Sequence, residues 1–185
     1  MASLVYPVIT SLDGYVVDAD GSFAWAEPDE EVHAFVNASV RSIGTYLLGR
    51  RLYETMRVWD TMSLDGATPV MRDFAELWRA ADKVVYSTTL DSVSTARTRL
   101  ESAFDSDAVR RAVEMSEHDV SVAGPTLAAH AIRARIIDAW HQLVCPVVVG
   151  GGTHWLPAGV RVDLDLVDER RFASGVAFLR YVTRR

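Results

Sequence analysis

The sequence has a single cysteine, no long apolar run and no excess of positive charge. Cys145 cannot form a disulfide within the chain, and its place beside Pro146 in an apolar stretch favours a small buried side chain. The apolar stretch 5–9 is too short for a signal peptide or a membrane span, so we expect a cytoplasmic protein without a membrane partner. The net charge of −6 argues against a nucleic-acid partner, because such proteins carry a broad basic surface.

Several motifs of well-known enzyme classes are also missing. There is no Gly-x-Ser-x-Gly motif of a serine hydrolase, no Rossmann Gly-x-Gly-x-x-Gly and no Walker Gly-x-x-x-x-Gly-Lys. The histidines are scattered and no paired cysteines occur, so we expect no metal site. The histidines in question are His33, His118, His130, His141 and His154.

The pattern of apolar residues predicts one α/β domain over residues 1–185. With 49% hydrophobic residues, the chain can bury a single sizeable core. Short runs rich in β-branched residues predict buried strands, and segments of helical periodicity lie between them. The predicted strands are 4–9, 45–48, 83–86 and 120–123, and the predicted helices are 29–42, 50–56, 69–81, 106–115 and 126–134.

The last third changes character, because three predicted strands are joined there by glycine-rich or turn-like segments. These strands are 139–149, 162–171 and 176–182, and the short connection 173–175 favours a hairpin. We therefore predict a three-layer sheet that is mostly parallel and ends in an antiparallel hairpin. Loops are expected at 19–28, 61–68 and 92–106.

Three segments that follow predicted strands have the composition of a phosphate-binding loop. They are Gly49–Arg51, Ser87–Thr89 and Gly124–Thr126. A helix N-terminus attracts anions, and ligands of open α/β sheets gather at the carboxyl ends of strands, so the three loops together predict a nucleotide site. Taken singly, such a segment is more often a helix cap or a turn with solvated charges than a phosphate site. Gly150–Gly152 indicates a turn or bulge where backbone can approach a ligand.

These segments also resemble those of a known superfamily. The chain is similar to dihydrofolate-reductase-like proteins, and within them to the reductase domain of the bifunctional riboflavin-biosynthesis deaminase-reductase. The resemblance covers nearly the whole chain, in the order of the family. It rests on Ser-Leu-Asp-Gly-Tyr (11–15), Leu-Gly-Arg-Arg-Leu-Tyr-Glu (48–54), Val-Val-Tyr-Ser-Thr-Thr-Leu (84–90), Val-Ala-Gly-Pro-Thr-Leu-Ala (122–128) and Pro-Val-Val-Val-Gly-Gly-Gly (146–152).

The resemblance implies an NADPH site with a distinct role for each segment. Ala123 stands where the family usually has the first of two glycines in its pyrophosphate turn, and Ile9 would offer backbone groups to the nicotinamide. The residues implied for the 2′-phosphate and pyrophosphate are Gly49, Arg50 and Arg51, those for the adenine ribose are Ser87, Thr88 and Thr89, and those of the pyrophosphate turn are Gly124, Pro125, Thr126 and Leu127.

The substrate side is less defined, and the catalytic residue stays unassigned among three candidates. His33 occupies the position where dihydrofolate reductases carry a carboxylate, and the alternative acids lie at 29–31 in a first helical turn. Asp13 is a second candidate, although its position favours an Asx-type turn before Gly14 over a catalytic role. The segment containing Ser22 and Trp25 resembles a mobile loop over the substrate. Asp60 is the third candidate and is expected to face the same cleft.

The family resemblance implies NADPH-dependent reduction of a ribosylamino-pyrimidine or a similar small heterocycle. Two alternatives remain, namely dihydrofolate reduction and nucleotide binding without turnover. The apolar series 136–149, which includes Trp140 and Val148, exceeds what an edge strand needs for its own core. Together with the family resemblance, this series predicts a homodimer.

Overall fold

The computed structural model describes residues 1–184 and contains one eight-stranded sheet. The strand order is β5-β4-β3-β6-β1-β7-β10-β9, and all pairings from β5 to β7 are parallel. Strand β10 is antiparallel to both β7 and β9. A second sheet pairs β2 with β8. The predicted parallel sheet with an antiparallel hairpin at its end is confirmed.

The strands and helices alternate along the first two thirds of the chain. The strands are β1 Leu4–Thr10, β2 Tyr15–Val17, β3 Ile43–Gly49, β4 Asp82–Tyr86, β5 Thr98–Glu101, β6 Asp119–Ala123, β7 Ala139–Val144, β8 Thr153–His154, β9 Leu164–Arg171 and β10 Ala177–Thr183. The helices are α1 Glu30–Val40, α2 Arg50–Met56, α3 Val58–Thr61, α4 Pro69–Ala80, α5 Ser106–Glu114 and α6 Pro125–Arg133, with a 3₁₀ turn at Ala24–Ala26.

Helices cover both faces of the sheet, which makes the three layers. On one face, Val109 of α5 and Leu127 of α6 pack in a core that includes Tyr6 of β1. On the other face, Trp78 of α4 packs against Tyr46 of β3 in a second core. Because both faces are covered, consecutive residues of the central strands β4 and β6 are buried, and this explains why their apolar runs are continuous rather than alternating.

The structure differs from the sequence prediction in strand β7, in the segment 92–106 and in a small second sheet. Strand β7 ends at Val144 rather than at 149, and it lies between β1 and β10 rather than at an edge. Trp140 and Leu143 are therefore buried within this chain and serve its own core, whereas Val148 is 65% exposed. Strand β5 lies inside the segment predicted as the loop 92–106, and the small β2–β8 sheet was not predicted.

None of the helices within residues 1–184 combines the length and the apolar character that crossing a bilayer requires. The burial of Cys145 was expected, and its thiol packs in a cluster with Val32, Leu143 and Phe172. Burial raises the pKa of this thiol.

Candidate functional site

The three loops with phosphate-binding composition share one end of the sheet. Gly49 ends β3 and pairs with Tyr86, the last residue of β4, while Leu48 pairs with Ala123 at the end of β6. Because β4, β3 and β6 are adjacent and parallel, Ser87 and Gly124 follow directly beside Gly49. The carboxyl end of such a sheet is where open α/β folds bind ligands.

Helix α6 begins at this end without a side-chain cap. Helices α1, α4 and α5 are capped by the side chains of Asp29, Thr68 and Asp105, which accept backbone N–H groups of the first turn. Gly124, the residue before α6, has φ of +89° and makes no such bond to the described part of the chain. A glycine tolerates this conformation without strain. The first turn of α6 thus keeps donors and a partial positive charge for an anion.

Arg50 and Arg51 open helix α2 next to this turn, and their surroundings differ. Arg50 donates from Nε to Glu54 Oε1 at 2.9 Å and from Nη1 to Thr89 Oγ1 at 2.8 Å. These bonds connect the first loop to the second. Arg51 is exposed, and its side chain forms no hydrogen bond or ion pair with any residue in 1–184. Glu54 balances the charge of Arg50, so Arg51 supplies the net positive charge here.

The hydroxyl groups of the second loop, Ser87–Thr89, differ in how far they are engaged in hydrogen bonds within the chain. Ser87 Oγ accepts the backbone N–H groups of Thr89 and Leu90, each at 3.1 Å, and so closes a turn. Thr88 is exposed. Ser87 therefore shapes the loop, and Thr88 and Thr89 present the remaining hydroxyls.

Strands β1 and β6 separate towards this end of the sheet. They pair only at Leu4 and Val5, whereas β1 pairs with β7 along its length from Val5 to Thr10. The backbone of Ile9 therefore has a ladder partner on the β7 side and none from β6. Such a gap leaves backbone donors and acceptors beside the start of α6, where a flat polar ring can bind.

The segment with Ser22 and Trp25 lies over the same end of β1. Trp25 and Ile9 both pack against the cluster that contains Leu143 and Phe172. The indole Nε1 of Trp25 is buried without a hydrogen-bond partner in the described chain. Ser22 is exposed, and its backbone closes a turn with Asp18.

Asp13 connects the segment after β1 to the glycine-rich loop after β7. Its carboxylate accepts from the backbone N–H groups of Val149 at 3.2 Å and Gly150 at 2.8 Å. A hydrogen bond from Ser11 and these backbone donors hold the pKa of Asp13 below its usual value. This carboxylate thus has a bridging role that neither the catalytic nor the Asx-turn interpretation had included.

The close backbone approach expected for Gly150–Gly152 occurs within the chain itself. A Cβ atom on Gly152, which has φ of +126°, would lie 2.0 Å from the carbonyl oxygen of Val17. The glycine therefore lets strand β8 pack on β2, and this explains the position without a ligand.

His33 lies among aromatic rings of three helices. Its imidazole contacts Trp59 and Phe74 with ring centroids 6.1 and 5.8 Å apart. Burial lowers the pKa of His33, although the nearby Asp73 opposes this effect. His33 belongs to α1, and its imidazole makes packing contacts with α3 and α4.

Asp60 is engaged in a buried network, and this does not support its assignment to the substrate cleft. Its Oδ2 accepts from Trp78 Nε1 at 2.8 Å, and its Oδ1 lies 3.7 Å from Lys83 Nζ. The side chain of Lys83 is completely buried, and its ammonium also donates to the carbonyl oxygens of Trp78 and Ala81. Sequence reasoning missed Lys83, although a lone lysine in an apolar strand is the signal of such a network.

Among the histidines, His141 of β7 has the most strongly shifted pKa. This shift predicts that the fold loses stability in acid. Burial, and then the charge of Arg180, lowers the pKa of His141 to about 4 from 6.5, and its buried Nε2 has no partner in residues 1–184. The unfolded chain therefore binds more protons between these pH values, and stability falls as the pH drops through this window.

We expect the wild-type protein to lose about 2–3 kcal/mol of unfolding free energy between roughly pH 6.5 and 4 from this group. His141→Gln should flatten that part of the profile, as measured by urea unfolding at several pH values. His118→Gln, at an exposed histidine, is the matched control. An unchanged slope in His141→Gln would contradict the assignment.

Comparison with known proteins agrees with this architecture. A putative riboflavin biosynthesis protein from Shewanella sp. PV-4 superposes with a TM-score of 0.78 at 17% identity, covering 100% of both chains. The diaminohydroxyphosphoribosylaminopyrimidine deaminase/5-amino-6-(5-phosphoribosylamino)uracil reductase of Thermotoga maritima gives 0.68 at 14% identity. That alignment covers 99% of this chain and 57% of the T. maritima chain. Dihydrofolate reductase from Enterococcus faecalis, complexed with NADP(H), gives 0.63 at 12% identity and covers 99% and 97% of the two chains.

At these identities the structural matches establish the shared fold, which is that of dihydrofolate reductase. No curated protein matches the chain in sequence. The sequence model of one family, described as the RibD C-terminal domain, matches residues 2–178. The match covers nearly the whole chain, including all three loops at the carboxyl end of the sheet. The chain therefore belongs to the RibD C-terminal domain family.

Proposed function

We propose that this protein is an NADPH-dependent reductase of a small heterocyclic substrate of the ribosylamino-pyrimidine type. The observation that carries the proposal is the uncapped start of α6 beside Arg50 and Arg51, at the carboxyl ends of adjacent strands. Membership of the RibD C-terminal domain family supports the same chemistry.

The residues at this end of the sheet fit NADPH. The glycine-started turn before α6 offers backbone donors suited to a pyrophosphate, and Arg51 offers a free guanidinium suited to a 2′-phosphate. Thr88 and Thr89 supply hydroxyls beside Arg50. The gap between β1 and β6 leaves the Ile9 backbone available to the nicotinamide.

NADPH bound in this way would supply a hydride to the substrate. The chain itself would orient donor and acceptor, because alignment of the reacting groups is the main requirement of hydride transfer. Trp25 would form an aromatic wall over the reacting rings, and Asp13 would hold its segment against the 149–150 loop. Ser22 belongs to the same segment and would approach the substrate when it is bound.

A substrate panel tests this function. Purified protein is mixed with NADPH and with 5-amino-6-(5-phosphoribosylamino)uracil or dihydrofolate, and loss of the NADPH absorbance is followed. We expect turnover with the ribosylamino-pyrimidine and none with dihydrofolate. Turnover of dihydrofolate alone would favour the first alternative, and NADPH binding without any turnover would favour the second.

We also propose a homodimer, now placed at the free edge of the sheet. Edge strand β9 exposes Leu166 and Val167 at 50% and 51% of their surface, whereas β7 is interior. An exposed edge with apolar side chains is a ready template for pairing with a second copy.

Location in the cytoplasm likewise remains a proposal, supported by the single buried Cys145.

Sedimentation equilibrium tests the dimer. We expect a mass of about twice the chain mass of 20.5 kDa, falling to the single-chain value in Val167→Asp. Met115→Asp changes an apolar residue that is even more exposed and lies directly after α5, away from β9, and it should leave the dimer intact. A wild-type mass near 20.5 kDa would rule the dimer out.

A further inference from the structure

A cavity lies at the end of the sheet opposite to the start of α6. It measures about 600 Å³ and lies between α2, α3 and the chain that leads into β5. The cavity lies beside the amino end of β4, because its lining residue Arg79 is near the end of α4, just before that strand. Its lining residues are Arg57, Asp60, Thr61, Arg79, Ser94, Thr95 and Ala96.

The acidic group of this cavity is already neutralised. Asp60 lies 3.7 Å from the ammonium of Lys83, and both side chains are nearly or fully removed from solvent. Burial lowers the pKa of Lys83, while the charge of Asp60 opposes this effect. The carboxylate thus balances the buried lysine and leaves no negative charge for a second cation.

Arg79 is a half-buried cation without a counter-ion. It donates from Nε to the Trp59 carbonyl and from Nη2 to the Met62 carbonyl, each at 2.8 Å. These bonds fix the plane of the guanidinium but contribute no negative charge. Within residues 1–184 Arg79 forms no ion pair. Desolvated charges are normally paired, so the cluster lacks one anion.

Further groups suited to an anion complete the lining. Arg57 is exposed and forms no ion pair in the described chain, and Thr61 adds a hydroxyl to the lining. The side chain of Ser94 is already hydrogen-bonded to Tyr53. Arginine forks together with hydroxyl donors match the geometry of a phosphate group. The positive charge is local, because the chain as a whole has a net charge of −6.

We infer that this cavity binds a phosphate-bearing small molecule, at a site separate from the cofactor end. The volume falls within the range of small-molecule pockets and exceeds that of a single ion. Arg79 provides a fixed cation, Arg57 a mobile one, and Thr61 a hydroxyl group. The inference is independent of the proposed reductase activity.

Calorimetry with two probes tests the site, using inorganic pyrophosphate and ribose 5-phosphate on the full chain. The variant Arg50→Ala/Arg51→Ala is the titrated background, so that binding at the cofactor end is removed. We expect a Kd below about 1 mM for at least one probe and at least a tenfold loss in Arg57→Ala. Tighter binding of ribose 5-phosphate would identify a sugar phosphate as the ligand, and tighter binding of pyrophosphate a free polyphosphate.

Arg110→Ala, at an exposed arginine of α5, is the matched control and should bind both probes like the background protein. The inference would be overturned if neither probe bound. An equal loss of affinity in Arg57→Ala and Arg110→Ala would do the same, because it would reduce the effect to general charge.

A second variant supplies the missing anion from within the chain. Ser94→Asp places a carboxylate in the cavity while the backbone N–H of residue 94 can still donate to Tyr53. We expect a higher Tm in the absence of probe, loss of binding of both probes, and unchanged NADPH affinity when the change is made in the wild-type chain. A folded Ser94→Asp protein with a lower Tm or with unchanged probe binding would contradict the inference.

Discussion

Replacing both Arg50 and Arg51 with alanine is expected to abolish a preference for NADPH over NADH. In the wild-type protein we expect NADPH to bind more tightly by about 1.5–3 kcal/mol, the usual worth of charge-assisted hydrogen bonds. NADH lacks the 2′-phosphate, so its affinity should change little in the double variant. Calorimetric titration of both cofactors measures the difference directly.

The single variants should differ, because the two side chains have different partners. Arg50 is already engaged with Glu54 and Thr89, whereas Arg51 is free. We expect Arg51→Ala to lose most of the discrimination, and Arg50→Ala to lose less and to loosen the 87–89 loop.

The matched control changes Arg110 and Arg111, two adjacent exposed arginines on α5, to alanine. The control variant loses the same two positive charges, but at a place away from the proposed cofactor site. Equal affinity of the wild-type protein for NADPH and NADH would refute the assignment, as would an equal effect of the control pair.

Asp60→Asn is expected to destabilise the fold far more than the loss of an exposed charge. The amide can still accept from Trp78, so the substitution isolates the charge. It leaves the buried Lys83 ammonium without a counter-ion, and breaking such a pair costs about 3–5 kcal/mol. Urea unfolding at neutral pH measures the difference.

Two comparisons make this prediction specific. Asp82→Asn removes an exposed pair with Arg97 at 3.0 Å and should cost less than about 1 kcal/mol. Combining Asp60→Asn with Lys83→Met removes both charges, and it should recover part of the lost stability. A cost in Asp60→Asn no greater than in Asp82→Asn would show that the buried pair does not stabilise the fold.

The predictable part of the candidate site follows from local sequence. Glycine before an apolar helix, arginines at a helix start and hydroxyls after a strand are short-range patterns. Once the strands are parallel neighbours, their carboxyl ends must meet, and Gly49, Ser87 and Gly124 do lie side by side. Their cofactor roles remain predictions.

The contacts of side chains that bridge distant segments could not be predicted from the sequence. Asp60 was expected in a cleft, yet its partners Trp78 and Lys83 lie 18 and 23 positions further along the chain. Asp13 binds backbone groups of residues 149 and 150. No local pattern encodes such contacts, because they depend on how loops from separate elements are brought together.

The sequence by itself determined the parallel sheet, its antiparallel end and the identity of the three loops, because hydrophobic periodicity and glycine placement act within a few residues. Only the tertiary structure decided the order of the strands. It made β7 an interior strand, so that Trp140 and Leu143 fill this chain's own core, and it left β9 at the edge. It also left Arg79 half-buried and without a counter-ion among residues 1–184. Burial depends on which elements pack together, and that is a property of the whole chain.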